Sequence, residues 1–599
     1  RREGATARRR EGAHEGMACP PGFTLSFRGY YSCAVEKKPC ATKRERPGMS
    51  ASECAASCSS CAAVSVYGGR ECWMYRELTG DRVYGADSVF CTRDRPLSST
   101  FARLQEFRDV LTMESAGNAR VVRSSGGAAS GGVVSEGMGY GLLLAGIAAA
   151  AEERGSDSWR ASLSFGEELF VGWRRMAEST HSSCQDDDQR ALCGGRPKRT
   201  GEGPTRGHSA CLPAWRFDHQ IRKQAGPGSA ADADEDALLG LVLLVEASDE
   251  ASWSGWAAVA LWAYESCRAF LRWNTVPHGE GRLPRLGSCW GGWDCSNPSY
   301  LAPAHYRAFR RYMLRHGARF GSSADEGERA AAQWEALVRG SYAMLGEAQC
   351  PSTGLTPNWW QPAGPQRPRG RTGCNSSGTD ADEFGSEAAR GVWRVALDAL
   401  WATDKTVRDA LEAAGAEPRA AAGGSAALDL ARGVEVLAAA PGLDPVQYSW
   451  RVARQLVLKQ NASHPSGFGE LDTPRRTATG VACHVSSIHR DWQWNAFMFG
   501  PLSAALLLPL PPADPHAPGQ RATMHALAQR VAAAPIVDYY NGAWLALSSA
   551  TLNGDLGRAC PLLFDDCFAH RPADATAAAA AAAATTAQPP AALPPPLPP

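Results

Sequence analysis

Two stretches of this chain are apolar on every helical face. Residues 142–151 (LLLAGIAAAA) and 237–245 (ALLGLVLLV) carry no polar side chain. A helix apolar all round is buried all round, so both are expected at the centre of a domain rather than on its surface. Further helical stretches, strongly apolar but with polar faces, fall at 257–273, 330–345, 388–401, 450–458 and 544–552, separated by loops rich in Gly, Pro and Trp. β-branched alternation is scarce. This pattern predicts an all-helical domain over residues 99–567, too long for a simple bundle and suited to concentric rings of helices.

Each buried stretch is entered through acids. Glu136 stands in VVSEGMGYGLLLA, where Gly137, Gly139, Gly141 and Gly146 each cost roughly 1 kcal/mol of helix propensity against Ala and so call for close backbone packing or an open substrate path. Ser135 is the expected N-cap, with Glu136 in the first turn near the positive end of the helix dipole. Glu136 is then either a cap on a core helix or a chemical group. In GSAADADEDALLG, Asp232 and Asp236 are four residues apart and share a face, whereas Asp234 points elsewhere. A calcium site there lacks the glycine and terminal glutamate of an EF-hand at the right offsets. In FGSEAARGVWRVALDALW, Glu387 lies one turn before Arg390 and two before Arg394, so all three can face one side; a neighbouring guanidinium favours the ionised carboxylate.

Composition narrows the class. The chain has 599 residues with 62 basic and 62 acidic side chains, which gives no electrostatic case for a nucleic-acid or membrane partner. The longest apolar run, near 496–510, is interrupted by Gly500, Pro501 and Pro509 and is too short to span a bilayer. Of 19 cysteines, eight fall between Cys19 and Cys91. That density predicts a disulfide framework and an oxidising compartment, hence a secreted or secretory-lumen protein. Zinc at Cys54, Cys58, Cys61 and Cys72 is disfavoured, since no histidine lies nearby and the spacing is not a paired CxxC. No metal or cofactor is expected. Two sequons, at Asn375 and Asn461, fit a secretory route. No signal peptide is visible ahead of Arg1, and the N-terminus is read as incomplete.

Organisation follows. Residues 1–18 are charged and aperiodic and are expected to be disordered. Residues 19–95 form a small cysteine-dense module whose run SASECAASCSSCAAVSVYGGRECWMY resembles the PAN/apple type, an α+β unit that is either a carbohydrate- or protein-binding module by analogy or a plain disulfide-held spacer. Residues 181–208 and 362–377 read as surface insertions. Residues 571–599 are an Ala- and Pro-rich low-complexity tail.

Seven segments of the helical region, in order, resemble the successive motifs of glycoside hydrolase family 8: SEGMGYGLLLA (135–145), AADADEDALLGLVLL (230–244), CWGGWDCSNPSYLAPAHYRAF (289–309), TGLTPNWW (353–360), FGSEAARGVWRVALDALWATD (384–404), WNAFMFGPLSAA (494–505) and YYNGAWLAL (539–547). The resemblance implies an (α/α)6 barrel with a long cleft at one end, cutting β-1,4 glycans with inversion. It implies Glu136 as the general acid, Asp232 as the carboxylate holding the sugar at the cleavage point, Trp215 and Trp290 as aromatic platforms for sugar rings, and Arg390 beside the base; Tyr140 follows as a substrate-side neighbour. The base position departs from the family pattern. In the endoglucanase branch that helix reads Tyr-Asp-Ala-x-x-Arg, whereas here it reads Ser386-Glu387-Ala388-Ala389-Arg390. Glutamate suits the same chemistry, because an inverting pair needs an acid and a base about 6.5–9.5 Å apart with a water between them. In a chitosanase-containing branch the base comes from another loop, and Asp380, Asp382 and Glu383 are candidates for that role here.

The expected function is endo-hydrolysis of a β-1,4 glycan, cellulose-type glucan first, chitosan or xylan next, by a monomer acting on polysaccharide. The alternative is a glycan-binding protein that kept the barrel and lost efficient catalysis. Burial is expected to raise the pKa of Glu136, and Arg390 to keep Glu387 ionised.

Overall fold

The computed structural model describes residues 97–115, 119–124, 132–180, 211–349, 355–363, 384–401, 496–507 and 538–565, a few single positions aside, with seven strands among residues 23–93. Those N-terminal strands are β1 (Phe23–Phe27), β2 (Gly29–Ser32), β3 (Ala41–Glu45), β4 (Ala63–Tyr67), β5 (Glu71–Tyr75), β6 (Asp81–Tyr84) and β7 (Ser88–Arg93); they form a five-stranded antiparallel sheet of order β1-β7-β4-β5-β3 and a separate β2-β6 pair. In that region Cys54 and Cys72, the first and last of the cysteines weighed as a zinc cluster, are joined in a disulfide, which removes both as ligands.

The rest of the described chain is mainly helical. We label its helices α1 (Thr100–Leu111), α2 (Ser135–Ala151), α3 (Asp157–Glu178), α4 (Ala231–Glu246), α5 (Trp256–Trp273), α6 (Pro303–Phe320), α7 (Glu326–Ala348), α8 (Ser386–Trp401), α9 (Ala496–Phe499), α10 (Leu502–Leu507), α11 (Tyr539–Leu552) and α12 (Asp555–Leu563). Six of them close a ring, α2 against α4, α4 against α6, α6 against α8, α8 against α10, α10 against α11 and α11 back against α2. Outside it, α1 lies against α11 and α2, α3 against α2, and α5 against α4, while α7 lies against α6. A closed inner ring with helices stacked around it is the expected (α/α)6 barrel. The two stretches apolar on every face, in α2 and α4, are neighbours in the inner ring and are buried along nearly their whole length. Helix α12 packs against α2, α4 and α11.

Two of the four glycines of α2, Gly139 and Gly146, have the close backbone packing that was one of their two expected roles. A Cβ at Gly139 would stand 2.6 Å from the Ala233 carbonyl oxygen, and one at Gly146 would stand 2.5 Å from that of Gly240; on the facing helix, a Cβ at Gly240 would meet the Leu142 backbone at 2.3 Å. Helices α2 and α4 therefore touch backbone to backbone, which brings their N-termini, and the acids there, side by side.

One expectation needs correction. Ser135 is not the N-cap: it is the first helical residue, Val134 holds the cap position in extended conformation without a side-chain bond, and the Ser135 N–H is taken by the Trp215 carbonyl. The reason is that β10 (Gly132–Val134) runs straight into α2 while paired with β11 (Arg216–Asp218), so the ladder's backbone bonding extends to the helix start. The scarcity of alternation also hid four two-stranded ribbons of two to four residues per strand in the barrel region, β8 (Thr112–Ser115) with β9 (Ala119–Val122), β10 with β11, β12 (Thr275–His278) with β13 (Gly281–Pro284), and β14 (Trp360–Gln361) with β15 (Arg371–Thr372). Strands that short carry too few positions to show a period of two. The helix expected at 450–458, Asp380, Asp382, Glu383 and both sequon asparagines lie outside the described residues.

Candidate active site

Four inner helices bring their N-terminal turns to one place. Glu136 is the second residue of α2, Asp232 of α4 and Glu387 of α8, and Tyr539 is the first of α11. Four positive dipole ends oriented alike favour negative charge there, and carboxylates occupy three of them, with Tyr539 at the fourth. The side chain that ties them together is Arg390, one turn along α8 and almost wholly buried. Its Nη1 donates to Glu136 Oε1 at 2.6 Å and to Asp232 Oδ2 at 2.5 Å, and its Nη2 pairs with Glu387 Oε2. One guanidinium thus serves three carboxylates, and places Glu136 and Glu387 on its two separate nitrogens. The Tyr300 ring lies beneath it, 5.3 Å from the guanidinium carbon. Burial alone would strip charge from Arg390, yet the surrounding carboxylates hold it firmly protonated.

Glu136 is further held by two phenols. Tyr140, one turn along α2 and buried, donates to Oε1 at 3.1 Å; Tyr539 donates to Oε2 at 3.0 Å. Desolvation, opposed by Arg390 and by the Tyr539 hydrogen bond and assisted by the charges of Asp232 and Glu387, pushes its pKa from 4.5 up to about 7. That is the direction expected from the apolar helix it heads. Glu387, less enclosed, accepts from Asn297 Nδ2 at 2.9 Å in addition to Arg390.

Beneath this layer sits a second, fully buried one. Arg394, one turn further along α8, donates to Asp236 Oδ2 at 2.7 Å, to the Ser299 carbonyl at 2.6 Å and to the Asp232 carbonyl at 3.3 Å. Asp236 also lies 3.0 Å from His305 Nε2, and its pKa is held below the usual value by Arg394 and His305 against desolvation. Asp232 and Asp236 do share a face of α4, toward α8, and Asp234 turns away to accept from Asn274 at 2.7 Å. Arg390 and Arg394 take one carboxylate level each, so Arg394 does not join Glu387.

The two tryptophans are placed differently. Trp215 is half-buried, its indole against Gly226, where a Cβ would stand 2.2 Å from Nε1, and its backbone links the Gly228 carbonyl to the Ser135 N–H at the head of α2. Trp290 is half-buried in the loop that follows β13, closed by backbone bonds to Gly287. The same loop is anchored by the Cys295–Cys374 disulfide. Tyr539, Asn297 and Tyr300 were not singled out from the sequence. All three lie in the quoted segments, and Tyr539 shows the same signal as Glu136, a polar group immediately ahead of an apolar helix. Among the described residues no group of three or more His, Cys, Asp or Glu side chains is arranged to hold a metal ion, and no helix is long and apolar enough to cross a membrane.

A ring of helices whose N-termini gather one strongly raised carboxyl and two further carboxylates around an arginine defines the class: a helical barrel equipped for acid–base chemistry. Residues 205–414 match the family model described as glycosyl hydrolases family 8. Among curated relatives, Endoglucanase 2 of Ruminiclostridium josui is 28% identical over 212 residues, covering 33% of this chain and 38% of the relative; Endoglucanase A of Acetivibrio thermocellus is 26% identical over 288 residues, covering 46% and 43%. The chain thus spans less than half the length of these relatives. Among solved structures, the β-1,3-1,4-glucanase of Paenibacillus sp. X4 is 14% identical with a TM-score of 0.45, covering 75% of this chain and 89% of the other. Rex8A from Paenibacillus barcinonensis in complex with xylose is 16% identical with a TM-score of 0.41, covering 76% and 93%.

Proposed function

We propose that this protein hydrolyses β-1,4-linked glycan internally, cellulose-type glucan foremost, by an inverting acid–base mechanism. The observation that carries the reading is Arg390 holding Glu136 and Glu387 on its two nitrogens while only Glu136 is walled by apolar helix. Glu136, near pH 7 partly protonated, gives its proton to the departing glycosidic oxygen as the C1–O bond breaks. Glu387, paired with Arg390, takes a proton from the water whose oxygen bonds to C1 from the opposite face. Asp232, fixed by Arg390 Nη1, positions the sugar being cleaved, and Trp215 and Trp290 offer half-exposed rings for neighbouring sugars. The longer side chain of glutamate at the base position is accommodated through Asn297 and Arg390, which both grip the Oε2 end. Asp380, Asp382 or Glu383 is the alternative source of the base. The family 8 match and the endoglucanase names of the curated relatives support glucan over chitosan and xylan.

The protein is further proposed to act as a monomer in an oxidising, extracellular or secretory-lumen compartment, which its disulfides Cys54–Cys72, Cys295–Cys374 and Cys560–Cys567 favour. Residues 19–95 are proposed as a binding module of PAN/apple type and 571–599 as a linker tail.

The test is release of reducing sugar from carboxymethylcellulose, lichenan, xylan and chitosan, with NMR of the product anomer, for the parent protein, Glu136→Gln and Glu387→Gln. Glucan hydrolysis with inverted product, lost in both variants, is the expected result. Binding without turnover in the parent would establish instead the glycan-binding reading, for which Ser386-Glu387 in place of Tyr-Asp is the supporting observation.

A further inference from the structure

Beneath the proposed catalytic layer one buried hydroxyl faces two acceptors with a single proton. The Tyr306 oxygen lies 2.6 Å from Glu235 Oε1 and 3.0 Å from the Tyr300 carbonyl oxygen. A phenol has one O–H, so it satisfies only one of them as donor. If Glu235 were ionised, Tyr306 would be drawn to it and the buried Tyr300 carbonyl would lose its donor. If Glu235 is neutral, its own O–H donates to the Tyr306 oxygen, and Tyr306 donates to Tyr300. Both short contacts are then hydrogen bonds.

The surroundings favour the neutral form. Glu235 has no solvent exposure, and its Oε2 accepts no hydrogen bond. Arg394 is the nearest cation, with Nη1 3.8 Å from Oε2, but its N–H groups are directed at Asp236, Ser299 and Asp232. An ionised oxygen with no hydrogen bond and only that distant cation is strongly disfavoured in such a setting, far more than a carboxylic C=O. Desolvation accordingly moves the Glu235 pKa well above its usual value, the charges of Asp236 and Asp232 adding to it and Arg394 and Tyr306 opposing.

The turn that this relay reaches matters to the site. Residues 297–300 carry Asn297, which donates to Glu387 at 2.9 Å, and Tyr300, whose ring underlies Arg390. Their backbone is held from below at two consecutive carbonyls, Ser299 by Arg394 and Tyr300 by Tyr306. We propose that Glu235 is a positioning residue that stays protonated and, through Tyr306, fixes the Asn297–Tyr300 turn and thereby the carboxylate of Glu387. This inference rests on the reading of Glu387 as the base.

Two measurements on the full chain test it. The first is the infrared difference spectrum between the parent and Glu235→Gln near neutral pH. A protonated-carboxyl C=O band present in the parent and absent from the variant is expected; no such band overturns the proposal, whether or not the protein hydrolyses glycan. The second is kinetic, on soluble β-glucan. Gln at 235 keeps a donor toward Tyr306, so Glu235→Gln should hold kcat within about threefold with an unchanged pH profile, whereas Tyr306→Phe should lower kcat about tenfold or more with KM within about twofold, as expected when a reacting group is displaced rather than substrate binding lost. A loss in Glu235→Gln as deep as in Glu387→Gln, or an unaltered kcat in Tyr306→Phe, overturns it. An inactive parent that still shows the band would sink the hydrolase reading and leave the protonated Glu235 standing.

Discussion

The Tyr539 hydroxyl donates to Glu136 Oε2 over 3.0 Å, joining the first residue of α11 to the second of α2, helices 403 positions apart in the chain. This bond stabilises the carboxylate form, since it accepts better than the acid does, and it therefore works against the desolvation that raises the Glu136 pKa. Tyr539→Phe is predicted to raise that pKa further. Activity that requires a protonated Glu136 falls as pH rises through its pKa, so the alkaline limb of the kcat/KM profile should move to higher pH. A limb that stays in place or moves down would show that Tyr539 does not act on Glu136.

The same raised pKa has a stability consequence of definite sign. Between the unfolded value of 4.5 and the folded value of about 7, the folded protein binds more protons than the unfolded chain, so stability falls as pH rises through that window. Glu136→Gln removes the titration. Its Tm relative to the parent should therefore rise between pH 4.5 and pH 8, with a differential on the order of 1–3 kcal/mol in denaturant titrations, while hydrolysis falls by roughly 10²–10⁴. A stability difference independent of pH would contradict the assigned cause.

Arg390 is predicted to be intolerant even of lysine. An ammonium is a single point charge and cannot hold Glu136 and Asp232 on one nitrogen and Glu387 on another. Arg390→Lys should fold with reduced stability and lose most activity, and Arg390→Met, which leaves Asp232 buried without a partner, should cost about 3–5 kcal/mol by urea unfolding. Near-parental activity in Arg390→Lys would mean that the three carboxylates do not depend on a shared guanidinium.

How far the sequence foretold this arrangement varied with the kind of signal. The runs 142–151 and 237–245 are apolar on every face, and that alone marked α2 and α4 as buried all round, as they are in the inner ring. Asp232 and Asp236 could be assigned a shared face because helix geometry puts residues four apart in line. Ser135 misled because its side chain has capping chemistry, whereas the actual bond runs from its backbone N–H to Trp215, a pairing set by a three-residue ribbon that no periodicity reveals. Asn297, Tyr300 and Tyr306 escaped notice because their roles come from where a turn meets another helix. A tyrosine that props a carbonyl reads in sequence like one that fills a core.

The backbone contact between α2 and α4 yields the last prediction. A methyl at Gly139 would sit 2.6 Å from the Ala233 carbonyl oxygen, and the obstructing atom is main chain that cannot swing aside as a side chain would. Helix propensity favours Gly139→Ala by roughly 1 kcal/mol, but forcing the helices apart in a close-packed core costs about 1–3 kcal/mol and more where backbone is the obstacle. The clash should win. Gly139→Ala is therefore expected to lower the unfolding free energy despite the better helix former, and because Glu136 and Asp232 head these two helices, the separation should also weaken their joint hold on Arg390 and reduce kcat. By contrast, a Cβ at Gly557 in α12 would meet nothing within 4 Å, so Gly557→Ala should gain the propensity term without a loss. Equal Tm changes in the two variants would show that the α2–α4 approach is looser than the structure makes it.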